Sequence, residues 1–523
     1  MYKSKPDCII VGHNEMNFTD YERIVGGMGN QDPAYRDLGL NYVCKNGKKL
    51  TLPMFYNEYF LKDVSKPFHL GNTFSATIAY LGSFLNRHGI SFDFVNSFQH
   101  EKERLETFLL EKVKIFIITT TLYTSAFPIF EVVDYIKKHN KEALIIVGGP
   151  YVSTLVRTQD IDTVEYLFDE IGADFYINNA QGEKALVELI LAIKQGKVYF
   201  DDINNLYFRN NKTYSNTKMV PEDNLLQQNL VDWHLFDGRL PGSVNLRTAI
   251  SCPFNCKFCG FPEHAGKHQV LDIDAIEYEL DGIKAYGTVQ WIKFVDDTLN
   301  VPVKRFKELL KRMIKKKYNF YWSANLRCQF LDEESVALMS ESGCKGVFLG
   351  IESGNDMILK NMRKNATVEQ YLKGHELLRK TDILTFGSFI VGFPGETEST
   401  VTDTINFIRQ TKPDFYRAQL WFCEPITPIW KERHIYNIEG SSFKWSHSTM
   451  DSEIGCNQLE RFFFEIDESL WFPVYGFDMD GVFNLMQRGM SLEEIKRILL
   501  LFQDGIRQKI TSVGATVAPM HEK

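Results

Sequence analysis

Short apolar segments alternate with helical patterns along most of this chain, and this alternation limits the fold more than any other feature. In the first half, segments with the length of buried strands are separated by stretches in which apolar residues recur at helical spacing. The strand candidates there are Cys8–Val11, Phe92–Val95, Lys114–Thr119, Leu144–Val147 and Phe175–Ile177. This order predicts an α/β domain with a doubly wound parallel sheet, whose ligands lie at the carboxyl ends of the strands.

A second βα series follows in residues 241–430. Its strand candidates are Val244–Ile250, Trp291–Val295, Phe320–Ala324, Gly346–Ile351, Leu384–Val391 and Phe415–Phe422, with helical patterns between them. Six βα units in this length fit a partial (βα)6 barrel better than a complete barrel of eight units.

The remaining segments suggest the domain boundaries. Residues 1–195 are predicted as the first domain, with 14–65 as an inserted cap because they show no clean period. Residues 196–240 are rich in Asn, Asp, Gly and Pro and are predicted as a linker. Residues 431–523 are predicted as a mainly helical region that covers the site and ends in a helix at Leu492–Ile506.

Composition excludes several classes of protein. A chain of 523 residues that is 44% apolar and 24% charged is globular, and its length suggests about three domains. A net charge of −8 argues against nucleic acid as the main partner. No apolar run is long enough to span a membrane, and the start of the chain lacks a secretory signal pattern, so we expect a cytoplasmic protein with no membrane partner.

The cysteines are the residues that most strongly suggest a metal site. There are nine, an odd number, which argues against a disulfide framework, and three fall in one short run at Cys252, Cys256 and Cys259. The spacing C-x3-C-x2-C after a strand suits three irons of a 4Fe-4S cluster and leaves one iron open. A zinc site with His264 as fourth ligand is the alternative on spacing alone.

This cysteine loop, with an aromatic residue before its last cysteine, resembles the radical S-adenosylmethionine superfamily, in particular its cobalamin-dependent (class B) branch. Gly350-Ile351-Glu352-Ser353-Gly354 and Gly392-Phe393-Pro394-Gly395-Glu396-Thr397 resemble strand-end motifs of that superfamily. The Gly-Gly-Glu motif often found after the second strand is absent, and Asp296-Asp297-Thr298 stands there instead.

The resemblance implies a set of residues for S-adenosylmethionine. Glycine at the strand ends would allow the backbone to approach the adenosine. Glu352 would accept hydrogen bonds from the ribose or amino group, and Arg327 would pair with the carboxylate. The implied contacts are Phe258, Asp296, Asp297, Arg327, Glu352, Ser353, Gly392 and Pro394. A salt bridge at the barrel rim is the alternative for Arg327 and Glu352.

The first domain resembles the flavodoxin-like cobalamin-binding domain of the same branch. Small and hydroxyl residues at its strand ends would admit the corrin and its nucleotide tail. The implied contacts are Leu70, Gly71, Thr119, Thr120, Thr121, Gly148, Gly149, Pro150, Gly182 and Glu183. The Asp-x-His-x-x-Gly signature is missing, so no histidine ligand to cobalt is expected. A flavodoxin-like domain with another ligand, or with none, is the alternative.

Three further stretches resemble a narrower group, the phosphinothricin-pathway P-methyltransferase-like proteins. They are residues 34–38 (AYRDL), 415–421 (FYRAQLW) and 445–451 (WSHSTMD). Polar and aromatic residues in the last part of the barrel are candidates for the substrate pocket: Tyr416, Arg417, Gln419, Trp421, Cys423 and His447. Arg417 would hold an anionic substrate, or form an ion pair inside the barrel with a carboxylate such as Glu424.

Together these resemblances imply a radical S-adenosylmethionine methyltransferase. The methyl group would pass through methylcobalamin to an unactivated carbon or a phosphinate phosphorus of a small molecule or peptide in a biosynthetic pathway. An external electron donor of the flavodoxin or ferredoxin type is expected as a partner. The alternatives are the same cofactors catalysing cyclisation or rearrangement, and a non-catalytic cobalamin or iron–sulfur sensor.

Overall fold

The structure is a computed structural model that describes residues 5–179, 181–210, 213–222 and 224–512; the side chain of Leu70 lies outside the described part. The strands are β1 (Cys8–His13), β2 (Tyr42–Lys45), β3 (Lys48–Thr51), β4 (Thr73–Phe74), β5 (Phe92–Ser97), β6 (Ile115–Thr119), β7 (Leu144–Gly148), β8 (Phe175–Ile177), β9 (Leu206–Asn210), β10 (Thr213–Asn216), β11 (Ser243–Leu246), β12 (Ala249–Ile250), β13 (Gln269–Val270), β14 (Trp291–Phe294), β15 (Tyr321–Leu326), β16 (Cys344–Glu352), β17 (Leu384–Val391), β18 (Phe415–Leu420), β19 (Glu439–Ser441), β20 (Lys444–His447), β21 (Met450–Asp451) and β22 (Leu470–Trp471).

The helices are α1 (Phe18–Gly26), α2 (Pro33–Gly39), α3 (Leu52–Tyr59), α4 (Ala76–Arg87), α5 (Lys102–Leu110), α6 (Phe127–His139), α7 (Pro150–Thr158), α8 (Ile161–Ile171), α9 (Glu183–Lys194), α10 (Phe261–Ala265), α11 (Ile273–Ala285), α12 (Val303–Lys316), α13 (Glu333–Glu341), α14 (Asp356–Asn361), α15 (Val368–Leu378), α16 (Glu398–Thr411), α17 (Arg433–Tyr436), α18 (Ser452–Glu465), α19 (Met479–Gln487) and α20 (Leu492–Ser512). Within the described ranges, none of these helices combines the length and the apolar character needed to cross a bilayer.

The chain divides into two compact units. The first comprises residues 1–17, 73–253 and 261–290, and the second comprises 18–72, 254–260 and 291–523. The division therefore separates Cys252, in the first unit, from Cys256 and Cys259, in the second.

The first unit contains a seven-stranded sheet in the order β10-β9-β8-β7-β6-β1-β5. The five strands from β8 to β5 are parallel. In chain order these five run 2-1-3-4-5, which is the flavodoxin-like order, with its switch point between β1 and β6. Ile9, Ile10 and Val11 of β1 have no exposed surface, as expected for a central parallel strand covered on both faces.

The region expected to be a linker contains structure of its own. Within residues 196–240, β9 pairs antiparallel with β8, and β10 pairs antiparallel with β9. Leu206, Phe208 and Tyr214 are buried, so this hairpin contributes to the core of the first unit. Its alternating apolar residues are few and lie among Asn and Asp, so the sequence pattern did not predict the hairpin.

The second unit contains six consecutive parallel strands in the order β22-β18-β17-β16-β15-β14. Sequential parallel strands with helices between them are the arrangement of βα barrels. Helices α13, α15 and α16 each begin with a capping box, formed by Asp332 with Ser335, Thr367 with Gln370, and Thr397 with Thr400.

The predicted strand Val244–Ile250 is two strands with different partners. β11 pairs in parallel with β4, whereas β12 pairs antiparallel with β13, and both pairs lie in the first unit. The chain then turns sharply, because Ser251 has a left-handed φ of +64°. The three cysteines follow directly after this turn.

Residues 18–72, most of the predicted cap, belong to the second unit. Helix α2 packs against α18, where Arg36 forms an ion pair of 2.7 Å with Glu460. The indole nitrogen of Trp471 donates to the carbonyl oxygen of Leu40 at 3.1 Å. The segment is therefore attached to α18 and to β22.

Candidate functional site

The second and third cysteines of the motif lie in a short loop of the second unit. The backbone N–H of Cys259 donates to the carbonyl oxygen of Cys256 at 3.1 Å, and the N–H of Lys257 donates to Met362 at 2.8 Å. All nine cysteines are described and none is in a disulfide. Among the described residues, no three His, Cys, Asp or Glu side chains are grouped as ligands of a single metal ion.

The guanidinium of Arg327 lies against the cysteine loop. Its Nη2 donates to Cys256 Sγ at 3.0 Å and its Nη1 donates to the carbonyl oxygen of Lys364 at 2.7 Å. The ring of Phe254 lies 3.5 Å from the guanidinium carbon. Arg327 directly follows β15, so the end of this strand positions its side chain.

Glu352, the last residue of β16, forms a buried ion pair. Lys364 Nζ lies 2.7 Å from Glu352 Oε1, and the two side chains are 6% and 9% exposed. Glu352 has a left-handed φ of +68°, which turns the chain out of the strand. Lys364 Nζ also lies 5.5 Å from the ring centroid of Phe258. Lys364 thus contacts both Glu352 and the aromatic residue of the cysteine motif.

The turn after β17 is stabilised from two sides. The buried carboxyl of Glu396 accepts the N–H of Gly392, and burial raises the pKa of Glu396 to about 8. His447 Nε2 donates to the carbonyl oxygen of Gly392 at 3.0 Å. A Cβ added at Gly392, whose φ is +90°, would lie 2.4 Å from Trp445. This turn therefore packs against the three-stranded sheet β19–β21.

Two carboxylates follow β14. The side chain of Asp296 is buried, and the backbone carbonyl oxygen of Asp296 accepts a hydrogen bond from Asn325 Nδ2 at 3.2 Å. Desolvation by the surrounding protein and the nearby charge of Asp296 raise the pKa of Asp297 to about 7. A carboxyl with this pKa can donate or accept a hydrogen bond near neutral pH.

The other residues implied for S-adenosylmethionine lie in the same unit. Phe258 packs edge to face with Phe393, with the ring centroids 6.5 Å apart. The Ser353 hydroxyl is fully buried and lies 3.3 Å from Thr404 Oγ1, so it secures the turn before α14. The carbonyl oxygen of Pro394 accepts Asn361 Nδ2 at 3.3 Å.

In the first unit, hydrogen bonds join the loop after β6 to the loop after β7. Thr120 donates from both its N–H and its hydroxyl to the carbonyl oxygen of Gly148, each at 3.0 Å. Gly149 has a φ of +117°, and a Cβ there would lie 2.7 Å from Thr120 Oγ1. At Gly182 a Cβ would lie 2.5 Å from Ile177. Small residues at these strand ends are thus required by the packing itself.

The remaining residues predicted to contact cobalamin lie at or near a strand end, at the starts of two helices and in a 3-10 turn. Thr119 ends β6, and Thr121 is exposed, with its hydroxyl 3.3 Å from Thr77 Oγ1. Pro150 and Glu183 begin α7 and α9. Leu70 and Gly71 lie in a 3-10 turn of the second unit, and the Leu70 side chain is outside the described part. His264, the alternative zinc ligand, lies 3.1 Å through Nε2 from the Thr154 hydroxyl.

Most substrate candidates are engaged in packing. The Tyr416 hydroxyl donates to the carbonyl oxygen of Phe462 at 2.8 Å, and Trp421 is buried against Trp445. Cys423 is fully buried, which raises the pKa of its thiol to about 12. His447 binds Gly392, as described above. Gln419 is exposed.

Arg417 is paired with Asp37 of α2, at 3.5 Å, rather than with Glu424. Its guanidinium also lies 4.4 Å from the ring centroid of Trp471. Asp37 and Lys364 were not predicted from the sequence as partners of site residues. Asp37 stands within the AYRDL stretch quoted above, whereas no local pattern marks Lys364.

The chain is similar to several known proteins. Residues 248–408 match the model of the radical SAM superfamily. An uncharacterised methyltransferase of Pyrococcus horikoshii is 27% identical over 335 residues, which are 62% of this chain and 70% of that protein. The anaerobic magnesium-protoporphyrin IX monomethyl ester cyclase of Rubrivivax gelatinosus is 24% identical, over 69% of this chain and 66% of the cyclase.

A solved structure has the same fold over most of the chain. The radical S-adenosylmethionine methyltransferase TsrM from Kitasatospora setae, solved with cobalamin and a [4Fe-4S] cluster bound, superposes with a TM-score of 0.57 at 19% identity, covering 69% of this chain and 74% of TsrM. The family match contains all three motif cysteines and the turns at Arg327, Glu352 and Gly392. Residues 248–408 therefore match a radical SAM domain, and the relatives that this chain resembles are named as enzymes.

Proposed function

We propose that this chain is a cobalamin-dependent radical S-adenosylmethionine methyltransferase. Its substrate would be a small molecule or peptide that is methylated at an unactivated carbon or a phosphinate phosphorus. The observation that carries the proposal is a continuous set of contacts at the cysteine loop: Arg327 binds Cys256, and Lys364 connects Arg327 with Glu352. Arg327 and Glu352 come from the ends of neighbouring parallel strands, where a βα barrel places its active site.

The donor set fits an iron–sulfur cluster. Cys252, Cys256 and Cys259 would be its ligands, and thiolates are the ligands that such clusters take. Arg327 places a positive N–H donor on Cys256 Sγ, which suits a thiolate better than a neutral thiol. The bound cluster would supply the electron that cleaves S-adenosylmethionine, and cobalamin would carry the methyl group.

The turns at the strand ends would hold S-adenosylmethionine. Glu352, which is paired with Lys364 in the structure, and the Asp296–Asp297 pair are the carboxylates that we assign to its amino and ribose groups. Asp297 has a pKa of about 7, so it can take either hydrogen-bonding role. Gly392, whose N–H and carbonyl oxygen are bonded to Glu396 and His447, would fix the turn beside the adenosine, and Phe258 and Pro394 would border it.

The first unit has features that fit cobalamin. Its strand order places the switch point between β1 and β6, where doubly wound sheets bind ligands. The loop after β6 contains Thr119, Thr120 and Thr121, and Thr120 holds the next loop at Gly148 and Gly149. Of the three threonines, Thr121 is exposed, and Gly148 and Gly149 add no side chain to the loop after β7.

Radical cyclisation without net methyl transfer is the second candidate. It is favoured by the similarity to the Rubrivivax cyclase, which covers 69% of this chain. The residues proposed for the cluster and for S-adenosylmethionine serve both reactions, so the products must distinguish them.

The test is an anaerobic assay of cluster-reconstituted protein with cobalamin, a chemical reductant and S-adenosylmethionine with a labelled methyl group. We expect label on cobalamin and release of 5′-deoxyadenosine. Release of 5′-deoxyadenosine with no labelled cobalamin would favour cyclisation or rearrangement.

Two cysteine variants provide the control. Cys256→Ala should lose all cleavage of S-adenosylmethionine and most of the bound iron. Cys44→Ala changes an exposed cysteine outside the motif and should retain both. Full iron content and cleavage in Cys256→Ala would refute the proposed cluster site.

A further inference from the structure

From the sequence, Arg327 was expected to contact the carboxylate of S-adenosylmethionine, with a salt bridge at the barrel rim as the alternative. In the structure, its guanidinium is instead committed to the cysteine loop. Two of its N–H groups donate to Cys256 Sγ at 3.0 Å and to the carbonyl oxygen of Lys364 at 2.7 Å. The side chain is almost entirely withdrawn from solvent, with 5% of Arg327 exposed.

The position of Arg327 is fixed by its backbone as well as by its side chain. Asn300 accepts the N–H of Arg327 at 3.0 Å through Oδ1 and donates from Nδ2 to its carbonyl oxygen at 2.9 Å. On one side of the guanidinium lies Phe254, from the cysteine motif itself, at 3.5 Å from the ring centroid. Phe254 in turn stacks on Phe330, with ring centroids 5.9 Å apart.

A cation held in this way acts on the sulfur that it contacts. Hydrogen bonds to cysteine sulfurs and local charge are among the factors that set the potential of an iron–sulfur cluster. The reduced cluster has one more negative charge than the oxidised one, and a nearby positive donor in a low-dielectric site stabilises that additional charge. Such a donor therefore makes reduction easier and raises the potential.

We propose that Arg327 is a positioning residue that raises the reduction potential of the cluster through its hydrogen bond to Cys256 Sγ. This inference rests on the proposed function, because it requires that Cys256 ligate a cluster. It assigns Arg327 to the electron-accepting step rather than to recognition of the S-adenosylmethionine carboxylate.

The experiment is a redox titration of the reconstituted full-length protein, followed by the electron paramagnetic resonance signal of the reduced cluster. Arg327→Gln removes the charge, and we expect the equilibrium constant for one-electron reduction to fall at least about tenfold, a decrease of about 59 mV. Arg327→Lys keeps the charge but loses the planar fork, so its potential should lie between those of the wild type and Arg327→Gln. The matched control is Arg379→Gln, which removes an exposed guanidinium at the end of α15 and should leave the potential unchanged.

A further variant covers the case in which Arg327→Gln does not take up the cluster. Phe254→Leu removes the ring beside the guanidinium but retains the charge of Arg327. We expect it to lower the reduction potential, but by less than the decrease expected for Arg327→Gln. An unchanged potential in Arg327→Lys and in Phe254→Leu would then overturn the inference.

Binding of S-adenosylmethionine, measured by equilibrium dialysis, separates the two roles of Arg327. A lower potential in Arg327→Gln with affinity within about threefold of the wild type supports the inference. An unchanged potential with a large loss of affinity would overturn it and return Arg327 to the carboxylate contact. Failure of the wild type itself to bind a cluster would refute the proposed function, an outcome distinct from either of these.

Discussion

At the scale of single residues, the site contains buried polar and charged groups that have specific partners. Arg327 contacts Cys256, Lys364 contacts Glu352, and Glu396 accepts the N–H of Gly392. Burying an unpaired charge costs several kcal/mol, so each of these groups depends on its partner. Arg327 and Cys256 lie on different turns, as do Lys364 and Glu352, so each of these two pairs connects two parts of the site.

Glu396 predicts a pH dependence of stability. Burial raises its pKa to about 8 in the folded protein, above the ordinary value of 4.5, so the folded state binds this proton more tightly than the unfolded state. Its contribution to stability is therefore complete below about pH 4.5 and decreases as the pH rises towards 8, by at most about 1.4 kcal/mol per pH unit. Glu396→Gln keeps an acceptor for Gly392 but cannot ionise.

The measurement is the free energy of unfolding from urea titrations between pH 5 and 8. The wild type should lose more stability over this range than Glu396→Gln. Parallel pH profiles for the two proteins would show that Glu396 ionises in the folded state without penalty.

At the scale of elements, periodicity predicted the regular segments and missed those defined by distant contacts. Strand β17 has the predicted bounds Leu384–Val391, because local spacing is enough to predict a continuous apolar strand. The hairpin β9–β10 was predicted as part of a linker, since its few buried residues lie among Asn and Asp. For the site, the cysteine spacing was informative on its own, whereas the pairing of Lys364 with Glu352 depends on the path of a turn that no local pattern describes.

The contact between the Gly392 turn and the three-stranded sheet β19–β21 can be tested by adding one methyl group, the Cβ of alanine, at position 392. Gly392→Ala would place a Cβ 2.4 Å from Trp445 at a φ of +90°. Gly29 is a matched control because its φ is +104° and a Cβ there would meet no atom within 4 Å. We expect Gly29→Ala to cost about 1–2 kcal/mol from backbone strain alone, and Gly392→Ala to cost at least about 1–3 kcal/mol more because of overpacking.

Hydrogen exchange of residues 439–451 gives the structural readout. Exchange should become faster in Gly392→Ala and stay unchanged in Gly29→Ala. Equal effects of the two substitutions on stability and exchange would mean that the β19–β21 sheet does not depend on this turn.

At the scale of the whole chain, residues far apart in sequence form the second unit. Residues 18–72 belong with 291–523, although more than 200 residues separate the two segments. The ion pair of Asp37 with Arg417 links them at 3.5 Å, and the backbone of Leu420 also donates to the Asp37 carboxylate. Asp37 lies in the AYRDL stretch and Arg417 in the FYRAQLW stretch. Two of the stretches that resemble the narrower methyltransferase-like group therefore contact each other in the structure.

The Asp37–Arg417 pair should be essential for the stability of the second unit. Arg417 is 1% exposed and Asp37 is 18% exposed, so Asp37→Asn leaves a buried guanidinium without its counter-charge. We expect a loss of about 3–5 kcal/mol in the free energy of unfolding. Asp20→Asn is the matched control in the same segment, because its ion pair with Arg23 is exposed and should contribute less than about 1 kcal/mol. Urea titration of both variants, with limited proteolysis of residues 18–72, measures the difference. If the double variant Asp37→Asn/Arg417→Gln is as unstable as the sum of its single variants, the two side chains act independently and the contact does not hold the segments together.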